Sequence, residues 1–285
     1  MVILDHIHLE YKKTLIENGH LEMPYGHITL ICGESGSGKT TLLEEIGLLT
    51  DIHCSYTFDN VELKGISEDK RLQIMLNDIA FIFQDIYLFE HMSLKDNISF
   101  YAKMANKEIN DDMIYEYMNR LSLHLEINTD VKTMSIGERQ RLTILCAMMK
   151  DAKLFIFDEP TAYLDNENKE LVYKIIDYLS KKLHKMVLIA SHDDFMIQRA
   201  DRIYKIEDQQ LNLIKDSFYI IENKGQVKQT ISYVHDYYHK IKSQTQSIIN
   251  IMIAIVLGII VGLFSFSLIY SYDYYHGSQD KLVSL

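Results

Sequence analysis

The chain has 285 residues, 47% of them hydrophobic and 24% charged, enough for one large domain or two modest ones around a real core. Acidic residues number 40 against 29 Lys and Arg, a net charge of −11. That argues against a nucleic-acid surface, which needs clustered positive charge to neutralise phosphates. Cys32, Cys54 and Cys146 lie far apart with no C-x-x-C spacing, so they read as reduced, buried thiols rather than metal or redox groups.

No positively charged start followed by an apolar core opens the sequence, so no signal peptide is expected. In chain order, Val2–Leu9 is the first of five apolar β-type runs, followed by 28–32, 79–83, 154–157 and 187–190. Several are apolar throughout, as parallel strands covered on both faces must be. Helical stretches lie between them, for example 167–182, where Leu171, Ile175, Tyr178 and Leu179 share one face. The alternation predicts an α/β layered domain.

After the second run comes Gly33-Glu34-Ser35-Gly36-Ser37-Gly38-Lys39-Thr40, which satisfies G-x-x-x-x-G-K-[ST] at every position. Thr40, Thr41 and the residues to Ile46 read as the first turns of a helix. Strand, glycine turn and helix N-terminus together make an anion site. Glycines let the backbone wrap phosphate closely, and unpaired N–H groups with the helix dipole supply positive potential. Lys39 would reach the terminal phosphates of a nucleotide, and the Thr40 hydroxyl would hold Mg²⁺.

Residues 89–150 differ: they are helix-rich with polar breaks and no buried-strand pattern, and read as a helical insertion into the nucleotide core. Near its end, Met134-Ser135-Ile136-Gly137-Glu138 opens a helix, with Ser135 and Glu138 at capping-box spacing. That helix presents its N-terminus and a hydroxyl to an anion. The run 154–157 then ends in Asp158 and Glu159. Asp158 would emerge beside the glycine loop and hold Mg²⁺ directly or through water; Glu159 can face the γ-phosphate, where a general base for water belongs. Residues 202–206 and 210–214 look like a closing β-hairpin.

From Val227 the pattern changes. Val227, Ile231, Val234, Tyr238 and Ile241 form a seam along one side of a helix, read either as packing on its own domain or as a connector along the membrane surface. Ile248 to Tyr270 carries no charge and, at ~1.5 Å per residue, reaches across a bilayer core. Lys240 and Lys242 precede the span, while four tyrosines crowd its far end. This orientation places the N-terminal part in the cytoplasm. Gly258 and Gly262 form G-x-x-x-G, which permits close helix approach. The predicted organisation is a nucleotide-binding domain over 1–218, an amphipathic connector over 219–246, a transmembrane helix over 247–270 and an extracytoplasmic tail over 271–285.

These motifs resemble the ATP-binding cassette (ABC) ATPases over nearly all of residues 1–215. The resemblance implies that Ser135 and Gly137 occupy the phosphate-contacting positions of the family signature and touch ATP bound to another cassette's glycine loop. It implies that Gln84 senses Mg²⁺ and the attacking water and touches a membrane subunit. Ala162–Asp165 looks like the D-loop, and His192 matches the switch histidine at the γ-phosphate. Tyr11, 22 positions before Gly33, stands where the family stacks an aromatic on adenine. One departure is Ile136, which replaces the first signature glycine. If that backbone must pass close to ATP the site is weakened; if the residue only begins the helix it is harmless. The cassette-then-span order, and the run 89–98, resemble MacB-type exporters. The expected function is ATP hydrolysis by two clasped cassettes driving export of a peptide, toxin or amphipathic drug. The expected partners are a second cassette subunit, a permease subunit or missing permease part, and the lipid bilayer. The alternative is a non-transporting mechanotransmission or sensing complex, as in FtsE-like cassettes.

Overall fold

The computed structural model describes residues 1–11 and 13–217. The predicted connector, span and tail lie outside the described residues, among which no helix is long and apolar enough to cross a membrane.

Two sheets carry the fold. The larger has six strands, in the order β10-β9-β3-β8-β7-β6. Its members are β3 (Ile28–Gly33), β6 (Ile79–Ile82), β7 (Leu154–Asp158), β8 (Met186–Ala190), β9 (Arg202–Glu207) and β10 (Gln210–Asp216). All neighbours are parallel except β10, which closes the sheet as the antiparallel partner of β9. The central strands are almost wholly apolar because alternate side chains enter two different cores. Phe155, Phe157, Val187, Ile189 and Leu30 face one cluster with the helical segment. Leu154, Ile156, Leu188, Ala190 and Ile31 face the other. A period of two on a sheet covered on both sides leaves little room for polar side chains. Thr29 in β3 is buried all the same, and Asp158 ends β7 at the edge.

The second core lies between this sheet and a smaller antiparallel one, β2-β1-β4-β5. That sheet contains β1 (Val2–Tyr11), β2 (Lys13–Met23), β4 (Ser55–Phe58) and β5 (Val61–Glu62). Leu42, Leu43 and Ile46 of α1 (Lys39–Ile46) pack in the same core, so the helix after the glycine loop lies between the sheets. The first apolar run therefore does not belong with the parallel strands. Val2, Leu4, Ile7 and Leu9 are buried while their neighbours are half-buried or exposed. A register shift between Asp5 and Ile7, with His6 at φ 56°, keeps the apolar side chains on one face.

The helix-rich segment holds α3 (Leu94–Met104), α4 (Asp111–Arg120) and α5 (Ile136–Met148), all packed into the first core. Each starts at the residue its sequence marks. Ser93 and Ser135 close capping boxes with Asp96 and Glu138, and Asn110 accepts from the Met113 amide. The run 89–98 is held by a fully buried Asn97, whose amide nitrogen donates to the Phe89 and Ser93 carbonyls while its oxygen accepts from the Phe89 amide at 2.9 Å. Helix α6 (Asn166–Asp177) continues as a π-helical turn over Tyr178–Lys182, so the expected helix over 167–182 is present with a widened last turn. The remaining helices are α2 (Glu68–Asp78) and α7 (Asp194–Arg199).

Candidate active site

Register brings the predicted motifs to one edge. Ala190 pairs with both Ile31 and Asp158, so the carboxyl ends of β3, β8 and β7 finish in one layer. The residues that follow, Cys32–Gly33, Ser191–His192 and Glu159, are neighbours in space although far apart in sequence. The carboxyl edge of a parallel sheet is where α/β folds place ligands.

The glycine loop leaves β3 and enters α1. Gly36 and Gly38 have φ of 76° and 103°, values that side-chain-bearing residues rarely adopt. Gly33 is demanded by space instead: a Cβ there would lie 2.7 Å from Ser37 Oγ and 2.9 Å from the Ile206 carbonyl. Lys39 folds over its own loop, donating from Nζ to the carbonyls of Gly33 at 2.9 Å and Glu34 at 3.0 Å. Glu34, Ser35 and Gly36 are exposed at the loop tip, and Thr41 is half-buried at the third position of α1. Ser37 Oγ is buried without a hydrogen-bond partner. Gly38 also packs under Leu9 and Leu15 of the β1–β2 hairpin, as a Cβ there would meet both side chains. Tyr11 lies at the end of that same hairpin, paired with Lys13; its side chain is outside the described residues.

Thr40, Asp158, Glu159 and His192 form a connected set. Thr40 Oγ1 donates to Asp158 Oδ2 at 2.9 Å. Burial raises the Asp158 carboxyl above its ordinary value, and the Glu159 charge adds to this; the Thr40 hydrogen bond and Lys39 oppose it. Glu159 sits in the left-handed region at φ 46°, a strained conformation for a non-glycine residue. Its amide donates to the Ala190 carbonyl at 2.9 Å. Ser191 Oγ donates to Glu159 Oε2 at 3.0 Å, and His192 Nδ1 lies 2.7 Å from Oε1. Both carboxylate oxygens are thus held, by a buried hydroxyl and an exposed imidazole. Ser191 was not foreseen from sequence. Its signal is adjacency to His192 at the end of an apolar strand, but its contact with a residue on another strand is visible only in the fold.

Gln84 is exposed and follows β6, whose Ile82 pairs with Phe157, so it too comes to the carboxyl edge. Ser135 and Gly137 do not join this set through hydrogen bonds. Ser135 is exposed, and its amide and hydroxyl both donate to Glu138 Oε2 at 2.8 Å. Gly137 is buried against Asn168. Ile136 occupies the first helical position, 47% exposed and without a positive φ. The replaced glycine therefore costs the helix nothing. All three cysteines are free and buried.

A parallel sheet with a glycine loop at its carboxyl edge, a lysine over that loop and a Thr–Asp pair beside a glutamate defines a P-loop nucleotide-hydrolysing domain. A family model described as ABC transporter matches residues 16–162. LolD, the lipoprotein-releasing system ATP-binding protein of Buchnera aphidicola, is 34% identical over 194 residues, covering 67% of this chain and 85% of that protein. MacB, the macrolide export ATP-binding/permease protein of Campylobacter jejuni, is 32% identical over 200 residues, 69% of this chain and 31% of the relative. The chain spans about a third of the length of the MacB relatives it matches. The ATP-binding cassette MJ0796, solved as a dimer in a post-hydrolysis state with ADP and Pi, has the same fold at a TM-score of 0.65 and 24% identity, covering 74% of this chain and 97% of that one. For cbiO1 of Clostridium perfringens the TM-score is 0.67 at 21% identity, covering 85% and 98%. The chain belongs to the ABC transporter family, as one of its ATP-binding cassette ATPases.

Proposed function

We propose that this chain is the ATP-hydrolysing subunit of a bacterial exporter, working as two cassettes that close on ATP. The observation that carries this reading is the coexistence of a connected hydrolytic edge and a separate, exposed helix tip. Lys39, Thr40, Asp158, Glu159, Ser191 and His192 are gathered at the sheet edge. Ser135 caps α5 elsewhere, with its hydrogen bonds confined to its own first turn. Such a tip is free to complete the site of a second copy.

The residues present fit ATP and Mg²⁺. The loop has no room for a Cβ at Gly33 and holds an unpartnered buried hydroxyl at Ser37. Among the described residues no group of three or more His, Cys, Asp or Glu gathers to hold a metal. Thr40 and Asp158 offer two oxygens, which suits Mg²⁺ because it takes most of its shell from phosphate and water. Bound Mg·ATP would supply the anhydride bond to be cleaved and a cation that offsets the phosphate charge.

Residues 33–41 bind the phosphates through backbone N–H groups, and Lys39 exchanges its loop carbonyls for terminal phosphate oxygens. Thr40 and Asp158 would hold the cation, with Gln84 sensing it from the same edge. Glu159, fixed by Ser191, accepts a proton from the attacking water, while His192 orients Glu159 and meets the γ-phosphate. Tyr11 stacks on the adenine. Ser135 and Gly137 close the site from the second copy.

Export as the coupled work is supported by relatives named for macrolide export and lipoprotein release at about a third identity. The domain plan is the cassette over 1–218, a connector over 219–246, a single cytoplasmic-membrane span over 247–270 and a tail over 271–285, with a permease completing the path. The test is ATP turnover by the full chain purified with its native partners. Turnover falling at least a hundredfold in Glu159→Gln, and rising with an exported compound, supports the reading. Turnover unchanged in that variant overturns it. Stimulation by a cell-wall hydrolase partner alone would replace export with mechanotransmission.

A further inference from the structure

Gly137 has no positive φ, so its backbone does not require glycine. What requires it is a neighbour. A Cβ on Gly137 would lie 2.2 Å from Asn168 Oδ1 and 2.4 Å from Asn168 Cγ. A flexible side chain would step aside from such a contact, but Asn168 is pinned. Its Nδ2 donates to both carboxylate oxygens of Asp165 at 3.0 Å, and its backbone amide donates to Asp165 Oδ1 at 2.8 Å. On the other side, Arg141 donates to Asn168 Oδ1 at 2.6 Å, from a buried guanidinium on the helix that Ser135 caps.

Only an amide satisfies both partners at once, since it donates to the carboxylate and accepts from the guanidinium. Aspartate would set two carboxylates face to face, and leucine would leave Arg141 buried without this acceptor. Asp165 is the N-cap of α6 and ends the Ala162–Asp165 turn, whose Tyr163 is 83% exposed at φ 63°. Ile136, 47% exposed, precedes Gly137 at the tip of α5.

We propose that Asn168 is a positioning residue that locks the Ser135–Gly137 tip to the Asp165 turn, so that two separate parts of the face offered to a second copy move as one body. Its consequence for turnover rests on the dimeric reading above; the lock itself does not. Gly137 is then glycine to admit this strut.

The experiment is a double-mutant cycle on the full chain with Gly137→Ala and Asn168→Ala, read by steady-state ATPase kinetics and by amide hydrogen exchange of the nucleotide-free protein. Each single variant is expected to lower kcat roughly tenfold while KM for ATP changes less than about twofold, because geometry and not ground-state binding is lost. Exchange is expected to quicken over residues 135–138 in both. The double variant is expected to match Asn168→Ala alone, since the alanine methyl acts only by displacing a side chain that is no longer there. A double-variant loss equal to the product of the single losses overturns the proposal, as does wild-type kcat and exchange in Asn168→Ala, or a fall in Tm with kcat unchanged. Should Asn168→Ala fail to fold, Asn168→Ser carries the same cycle. If the protein neither pairs nor turns over ATP, the functional reading fails while exchange still decides the strut.

Discussion

Asp158 shows the conflict between stability and chemistry at single-residue scale. Its carboxyl is buried beside Glu159, and its pKa lies above the ordinary value of 3.8. For an acid whose folded pKa is raised, the unfolded state binds fewer protons at intermediate pH, so stability falls as pH rises through the folded value. At neutral pH Asp158 therefore carries an unfavourable buried charge, which the proposed Mg²⁺ would offset. Asp158→Asn keeps an acceptor for Thr40 and removes the charge. It is expected to raise Tm by about 2 °C at pH 7, with the gain vanishing at acid pH where both forms are neutral, while Mg·ATP protection is lost. Thermal melts across pH, with and without Mg·ATP, check both halves.

At the scale of elements, Asn97 decides whether the run 89–98 holds its shape. Asn97→Ala leaves the Phe89 amide without its acceptor and takes one of two donors from the Phe89 and Ser93 carbonyls, which keep the Met92 and Asn97 backbone amides. The loss of about 2 kcal/mol should lower Tm by about 4–8 °C in thermal melts. The same scale explains what was legible in the sequence. The strands β3, β6, β7 and β8 could be read because burial on both faces leaves them apolar. The helix starts at Ser93 and Ser135 could be read because caps are local chemistry. The closing hairpin β9–β10 and the apolar face of β1 could be read as well, but β2, β4 and β5 could not. The alternation of β2 breaks at the consecutive buried Leu15 and Ile16, and its pairing with β1 shifts register three times. Four-residue β4 is too short to show a period. Strand order was hidden as well: β8 lies between β3 and β7, which is how Ser191 and His192 reach Glu159. The motif residues were visible singly, whereas the Asn168 strut joins positions whose meeting depends on how α5 and α6 pack.

For the whole molecule, the proposed function couples the hydrolytic edge and the Ser135 tip to movement in a membrane. The uncharged stretch over 247–270 is the proposed anchor. The full chain expressed in its host is expected to stay with the membrane pellet through alkaline carbonate extraction, and its release into the supernatant would remove the anchor from the account.

The central claim is that two copies complete each other's sites, and the mass of Glu159→Gln in saturating Mg·ATP tests it most directly. Light scattering on the detergent-purified full chain should show a nucleotide-dependent shift from one copy to two. The shift should be abolished by adding Ser135→Arg, which places a bulky charge on the tip. A species that stays at one copy in ATP, or one that pairs equally well without nucleotide and with the Ser135→Arg change present, contradicts the account.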